Sequence, residues 1–267
     1  MRFVFDHDLH IHSKFSSCSS HPEQIPEKML EYAKKNRLKQ LCITDHFWDS
    51  RVKSSLGIGL YGNLDTSFLK QVLPFPEDDE VEFLLGCECD MDKFFTVGVS
   101  KETIDELDFV VIPTTHMIWK GVTIEPEDCT VEGRARVWER RLDALLHKDL
   151  PWHKIGIAHL SSRMIGGEDD EYLKTFDAIR TDKMYELFER AAKLGVGIEL
   201  NRDGMKFPDE LTDTYLRMFR IAKECGCKFY IGSDSHNPNG FAEAKPTFER
   251  AIDLLGLTED DKFHIIK

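Results

Sequence analysis

The chain begins MRFVFDHDLHIHSKFSSCSSH. In a strand, side chains alternate between faces, so the spacing predicts that Asp8, His10 and His12 point the same way. Two imidazoles facing one cavity repel each other when protonated and make sense as neutral ligands of one cation. A single HxH is a weak signal, more often just an exposed polar strand end. The chemistry recurs, however, along the whole chain. His46 lies in ITDH, Glu88 in GCE, His116 in TTH, His159 in AHL, and Asp234 with His236 in GSDSH. Each of these closes a short apolar run, and His21 follows the first run in CSSH. Seven of the eleven histidines belong to this series. Packing alone does not explain so many polar groups at equivalent places, because burying them without partners is costly. A metal site explains them.

The elements that must carry these residues alternate in type. Residues 38–46, 81–88, 109–116, 154–160, 196–200 and 228–236 are brief, branched and apolar, as buried strands are. Between them lie amphipathic, helix-like stretches: PEKMLEYAKKN, VEGRARVWERRLDALLHK, DKMYELFERAAKLG, TDTYLRMFRIAKECG and KPTFERAIDLLG. Several end in glycine, a common helix stop. Strand–helix alternation implies parallel strands joined by crossovers. With the first strand the count is seven, and polar residues recur at their C-terminal ends, where barrel active sites assemble. The expected fold is therefore α/β, a distorted seven-stranded (β/α)7 barrel in a single domain spanning 1–267. Two long connections, 47–80 and 117–153, are placed to shape or cover the site.

Composition narrows the function. The 48 acidic residues outnumber the 35 basic ones, for a formal charge of −13. That balance disfavours nucleic acid and anionic membranes as partners, but bound cations can reverse the local field for a small anionic substrate. Seven cysteines without a CxxC pair indicate thiols rather than a zinc ribbon. The start of the chain lacks a basic region followed by an apolar stretch, and no run approaches the ~20 apolar residues of a membrane helix. A reducing, cytoplasmic setting is expected.

Through DLHIHS, CSSH, ITDH, GCE, TTH, AHL and GSDSH, in that order, the chain resembles the polymerase and histidinol phosphatase (PHP) superfamily of metal-dependent phosphoesterases. The resemblance implies a trinuclear centre of divalent transition metals (Zn, Mn or Fe). His10, His12, Glu88 and Asp234 would hold the first ion. His116 and His159 would hold the second, with Glu88 bridging, and His21, His46 and His236 the third. Glu88, Asp234 and His236 are then the expected catalytic residues. A bridging water of lowered pKa would attack phosphorus as hydroxide, with the ions stabilising charge on the phosphoryl oxygens. Asp8 and Asp45 are expected to orient ligands or cap turns.

Two arginines follow site strands, Arg163 in HLSSRM and Arg202 in ELNRDG, and an arginine fork suits phosphate oxygens. ELNR resembles the segment where histidinol-phosphatase-like members place a substrate-binding asparagine and arginine, which favours Asn201 and Arg202. Trp48, Tyr61 and Trp119 lie in the long loops, while His7, His147, His153 and His264 fall outside the pattern. The leading expectation is a phosphomonoesterase acting on a small phosphorylated metabolite, with L-histidinol phosphate as the compound the resemblance points to. A nucleotide or oligonucleotide phosphoesterase and a catalytically idle metal-binding scaffold are the alternatives.

Overall fold

Runs such as FVVIP and KFYIG become strands because branched and aromatic side chains pack well on pleated surfaces that are covered on both faces. The structure, a computed structural model of the chain, describes residues 1–19, 21–57 and 59–265. Ser20 of CSSH and the end of the expected domain at 266–267 lie outside them. The strands are β1 (His7–Ile11), β2 (Gln40–Ile43), β3 (His46–Phe47), β4 (Glu82–Cys89), β5 (Phe109–Pro113), β6 (Ile155–Ala158), β7 (Gly197–Asn201) and β8 (Lys228–Gly232). The helices are α1 (Pro26–Asn36), α2 (Thr66–Leu69), α3 (Lys101–Asp105), α4 (Val131–Leu146), α5 (Glu171–Ala178), α6 (Thr181–Leu194), α7 (Arg202–Met205), α8 (Thr212–Glu224) and α9 (Ala244–Leu255).

Every strand pair is parallel, in the order β1-β2-β4-β5-β6-β7-β8, with β3 also on β4. β2 pairs with Glu82–Leu85 and β3 with Glu88–Cys89, so the two share one barrel position and the expected sevenfold barrel holds. Side chains close the first part of the seam between β8 and β1. Nε2 of His7 accepts the Ile231 N–H at 3.0 Å, and Asp8 accepts the Ser233 N–H at 2.8 Å. Above them, backbone bonds take over: Asp234 N–H donates to His10 O at 2.7 Å and His12 N–H to Ser235 O at 3.1 Å.

Phe109 and Tyr230 plug the barrel interior, edge to face at 5.2 Å, together with Leu9, Cys42, Leu84, Val111 and Ala158. This filling depends on glycine in the strands. A Cβ on Gly156 would lie 2.5 Å from Phe109 and 2.6 Å from Tyr230, so only hydrogen fits. The larger apolar layer lies outside, where helix faces such as Met184, Leu187 and Phe188 of α6 cover the strands. α6 stops where Gly195 takes φ +76° and bonds back to Ala191 and Ala192 carbonyls.

One expectation about β1 fails. Its register on β2 shifts between Asp8 and Ile11, so strict alternation is broken there. Leu9 joins the inner layer and Ile11 the outer one. Asp8 therefore does not share the face of His10 and His12; it accepts from Tyr32 OH of α1 at 3.1 Å. Among the described residues no helix is long and apolar enough to cross a membrane.

Candidate metal centre

The shift in β1 sends His10 inward, and Gly232 on β8 leaves the space it needs. A Cβ at Gly232 would lie 2.6 Å from His10 Cβ and 1.9 Å from Glu199 Oε1. His10 and His12 then present Nε2 atoms 3.2 Å apart. Glu88 Oε2 lies 3.4 Å from the first and 3.2 Å from the second, and Asp234 Oδ1 lies 3.5 and 3.1 Å from them. A tetrahedron with arms of the length usual for imidazole and carboxylate ligands has edges of about 3.4 Å. The donor spacing fits a cation, and poorly fits four groups that hydrogen-bond only one another.

Glu88 faces two ways. While Oε2 looks to His10 and His12, Oε1 lies 2.9 Å from His159 Nε2 and 3.9 Å from His116 Nε2. The second donor set is thus Glu88, His116 and His159, all buried. A third consists of His12, Cys18, His46 and His236. His46 is put there by β3, whose backbone places it opposite Glu88. His159 and Asp234 sit just past their strands with φ of +33° and +51°, left-handed backbone that non-glycine residues rarely adopt.

The charge balance favours cations. Burial works against a charged His10, yet Glu199, Asp234 and Glu88 outweigh it and hold its pKa well above the ordinary imidazole value. Glu88 and Asp234 go the other way: burial opposes their ionisation, but the imidazoles, His46 and His10 foremost for Glu88, keep both well below the carboxylate range.

The site opens into a cavity of about 790 Å³ at the C-terminal end of the strands. Both long connections reach it. Tyr61 stacks on His46 at 4.4 Å and donates its hydroxyl to Asp90, while Trp119 meets the His116 ring edge-on at 6.1 Å. Trp48, by contrast, is wholly buried, its indole N–H donated to Val52 O. Arg141 of α4 ties the segments that follow β4 and β5 to the second long connection. Its guanidinium, fully buried, donates to Met91, Asp92, Thr114 and Thr123 carbonyls, and burial lowers its pKa to about 10. Arg163 and Lys206 line the cavity wall.

Eight of the nine predicted ligands come together: His10, His12, His46, Glu88, His116, His159, Asp234 and His236. His21 does not join them. Its Nδ1 accepts the Glu23 N–H in the turn before α1, and Cys18 stands among the third-set histidines instead. Arg202 and Asn201 are also not on the cavity wall. Arg202 donates to Gly240 O at 2.7 Å and to Asp203, whereas Asn201 caps α7 and donates to Glu199. Asp45 accepts from Ser13 N–H and Oγ–H, fixing the turn after β1.

Sequence reasoning passed over three groups. Glu199 accepts from His10 Nδ1 at 2.7 Å, and Asp90 pairs with His116 Nδ1 at 2.7 Å. Such carboxylates fix a ligand's tautomer and ring orientation. The signal available was their strand position, an acid inside GIELN and one just beyond GCEC. Cys18, the third, opens the CSSH segment in which His21 is the expected ligand, and that position is its signal.

Comparison with known proteins gives the family and the fold. The sequence model of the PHP domain family matches residues 8–255. Histidinol phosphate phosphatase HisK from Lactococcus lactis subsp. lactis Il1403, solved with zinc, L-histidinol and phosphate, superposes with a TM-score of 0.63 at 17% identity. The match covers 92% of this chain and 93% of that one. The candidate histidinol phosphatase HisK from Listeria monocytogenes gives 0.60 at 16%, covering 91% of this chain and all of the other. No curated protein sequence matches the chain.

Proposed function

The chain belongs to the PHP domain family, and from that premise we propose that it is a metal-dependent hydrolase of small phosphomonoesters. The observation that carries the reading is the two-faced placement of Glu88 between two donor sets at the floor of an open cavity. His10, His12, Glu88 and Asp234 would hold one ion, Glu88, His116 and His159 a second, and His46 with His236 would contribute to a third. Divalent ions bound there supply Lewis acidity for the phosphoryl oxygens and lower the pKa of water.

The remaining work falls to the chain's own residues. Arg163 lies over the Tyr172 ring at 5.0 Å, which steers its planar fork across the cavity wall and suits it to phosphate oxygens. Tyr61 and Trp119 give the cavity an aromatic wall above His46 and His116, a surface on which the organic part of an ester packs and from which it excludes water. Glu199 and Asp90 hold His10 and His116 with their other ring nitrogens free to face the centre. The cavity's size suits a metabolite, and the HisK structure with L-histidinol and phosphate makes L-histidinol phosphate the first compound to try.

The test is a panel of phosphomonoesters, including L-histidinol phosphate, sugar phosphates and nucleotides, assayed with Zn²⁺ and Mn²⁺ separately. The reading predicts that at least one small phosphomonoester is turned over well above a phosphodiester control. Hydrolysis confined to phosphodiesters or oligonucleotides would replace it with the nuclease alternative.

A further inference from the structure

We propose that Cys18 is a ligand of the third ion position, in place of His21, and that its thiolate makes this position selective for zinc over manganese. The inference deepens the metal-dependent reading above and rests on it. Its first support is placement: the Cys18 sulfur and one nitrogen each of His12, His46 and His236 all lie within 4.8 Å of one another. The second is independent. His46 is only 7% exposed, and its Nδ1 is buried without a hydrogen-bond partner although it lies 3.0 Å from Glu88 Oε2. A buried ring nitrogen this close to a carboxylate oxygen without hydrogen-bond geometry is accounted for by a cation held between them.

The local structure holds the thiol in place. Ser16 Oγ lies 3.3 Å from Cys18 Sγ and 3.1 Å from His12 Nδ1, joining the turn to β1. The His12 and His236 rings stack at 4.3 Å. His21 belongs to none of the donor sets among the described residues. Softness then separates the three positions. The first two offer only nitrogen and oxygen, which accept Mn²⁺ as well as Zn²⁺, whereas a thiolate with imidazoles favours Zn²⁺. Binding breaks the S–H bond, forms a metal–sulfur bond and releases the proton to water. Cys18 is exposed, so a thiol reagent can reach it when the position is empty.

Wild-type protein stripped with a chelator and reloaded with Zn²⁺ or Mn²⁺ provides the test, without any substrate. Alkylation of Cys18 by iodoacetamide, followed by peptide mass spectrometry, should slow by about tenfold or more with Zn²⁺ and much less with Mn²⁺. Co²⁺-loaded protein should show a thiolate charge-transfer absorption that Cys18→Ser abolishes, with Cys18→Ser holding one zinc fewer and His21→Ala holding all. Equal alkylation with and without Zn²⁺, no cobalt–thiolate band, or zinc lost from His21→Ala instead would overturn the assignment. Because no step involves hydrolysis, a failed phosphatase panel leaves this result readable on its own.

Discussion

Nδ1 of His10 lies 2.7 Å from Oε1 of Glu199, and the other Glu199 oxygen accepts the His159 backbone N–H at 2.7 Å. One buried carboxylate on β7 therefore sets the tautomer of a ligand in the first donor set. It also fixes the left-handed turn that carries a ligand of the second. With Nδ1–H donated to Glu199, His10 keeps its Nε2 lone pair for the centre.

Glu199→Gln should consequently weaken the centre without removing a ligand. A glutamine has one accepting oxygen and cannot serve both His10 and His159. Metal affinity, measured by competition with a chromophoric chelator, should fall by about 10- to 100-fold. Wild-type affinity in this variant would mean that the pair is packing rather than positioning.

Glu88→Ala should be more damaging than any single histidine substitution, since its two oxygens face different donor sets. We expect activity to fall by about 100-fold or more and metal content to drop by more than one equivalent. Loss of one equivalent only, measured by elemental analysis, would show that Glu88 does not bridge.

The two arginines should now separate. Arg163→Ala, removing the guanidinium on the cavity wall, is expected to lower kcat/KM by about 10- to 100-fold with metal content unchanged. Arg202→Ala should act chiefly on stability, because its guanidinium ties β7's end to Gly240 O. A lowered Tm with near-normal kcat/KM is the expected signature. The reverse pattern would return Arg202 to the substrate.

Much of this centre was legible before the fold was known, and the reason is physical. Parallel strands deliver their C-terminal residues to one face, so histidines and acids that close apolar runs must meet, as His46, Glu88, His116, His159 and Asp234 do. What escaped depends on detail that period and composition do not carry. The shift in β1 that turns Asp8 away from His10 arises from a single irregular register. Whether Cys18 or His21 reaches the third donor set depends on how the chain turns between β1 and α1. Arg202 followed a site strand, but α7 begins at that residue and directs it to Asp203 and Gly240.

Acid stability should report the β8–β1 seam. Burial lowers the His7 pKa despite the neighbouring Asp6 carboxylate, and the neutral ring accepts the Ile231 N–H. Above the unfolded value of about 6.5 the ring is neutral in both states. Below it the unfolded chain binds a proton that the folded one resists, so stability falls as pH drops from there towards the lowered folded value. In His7→Gln this contribution disappears, and the loss of Tm between pH 7 and pH 5 should be smaller than in the wild type. Parallel Tm–pH curves for the two proteins would rule out His7 as a source of acid sensitivity.

Phosphomonoester hydrolysis by this chain should depend on bound metal. The measurement is initial rate against metal equivalents, on chelator-stripped enzyme titrated with Zn²⁺ or Mn²⁺ and checked by elemental analysis. Hydrolysis should be negligible in the stripped enzyme, recover only as more than one ion binds per chain, and stay about 100-fold or more below wild type in Glu88→Ala at any metal concentration. Full hydrolysis by enzyme shown to be metal-free, or equal recovery in Glu88→Ala, would contradict this reading.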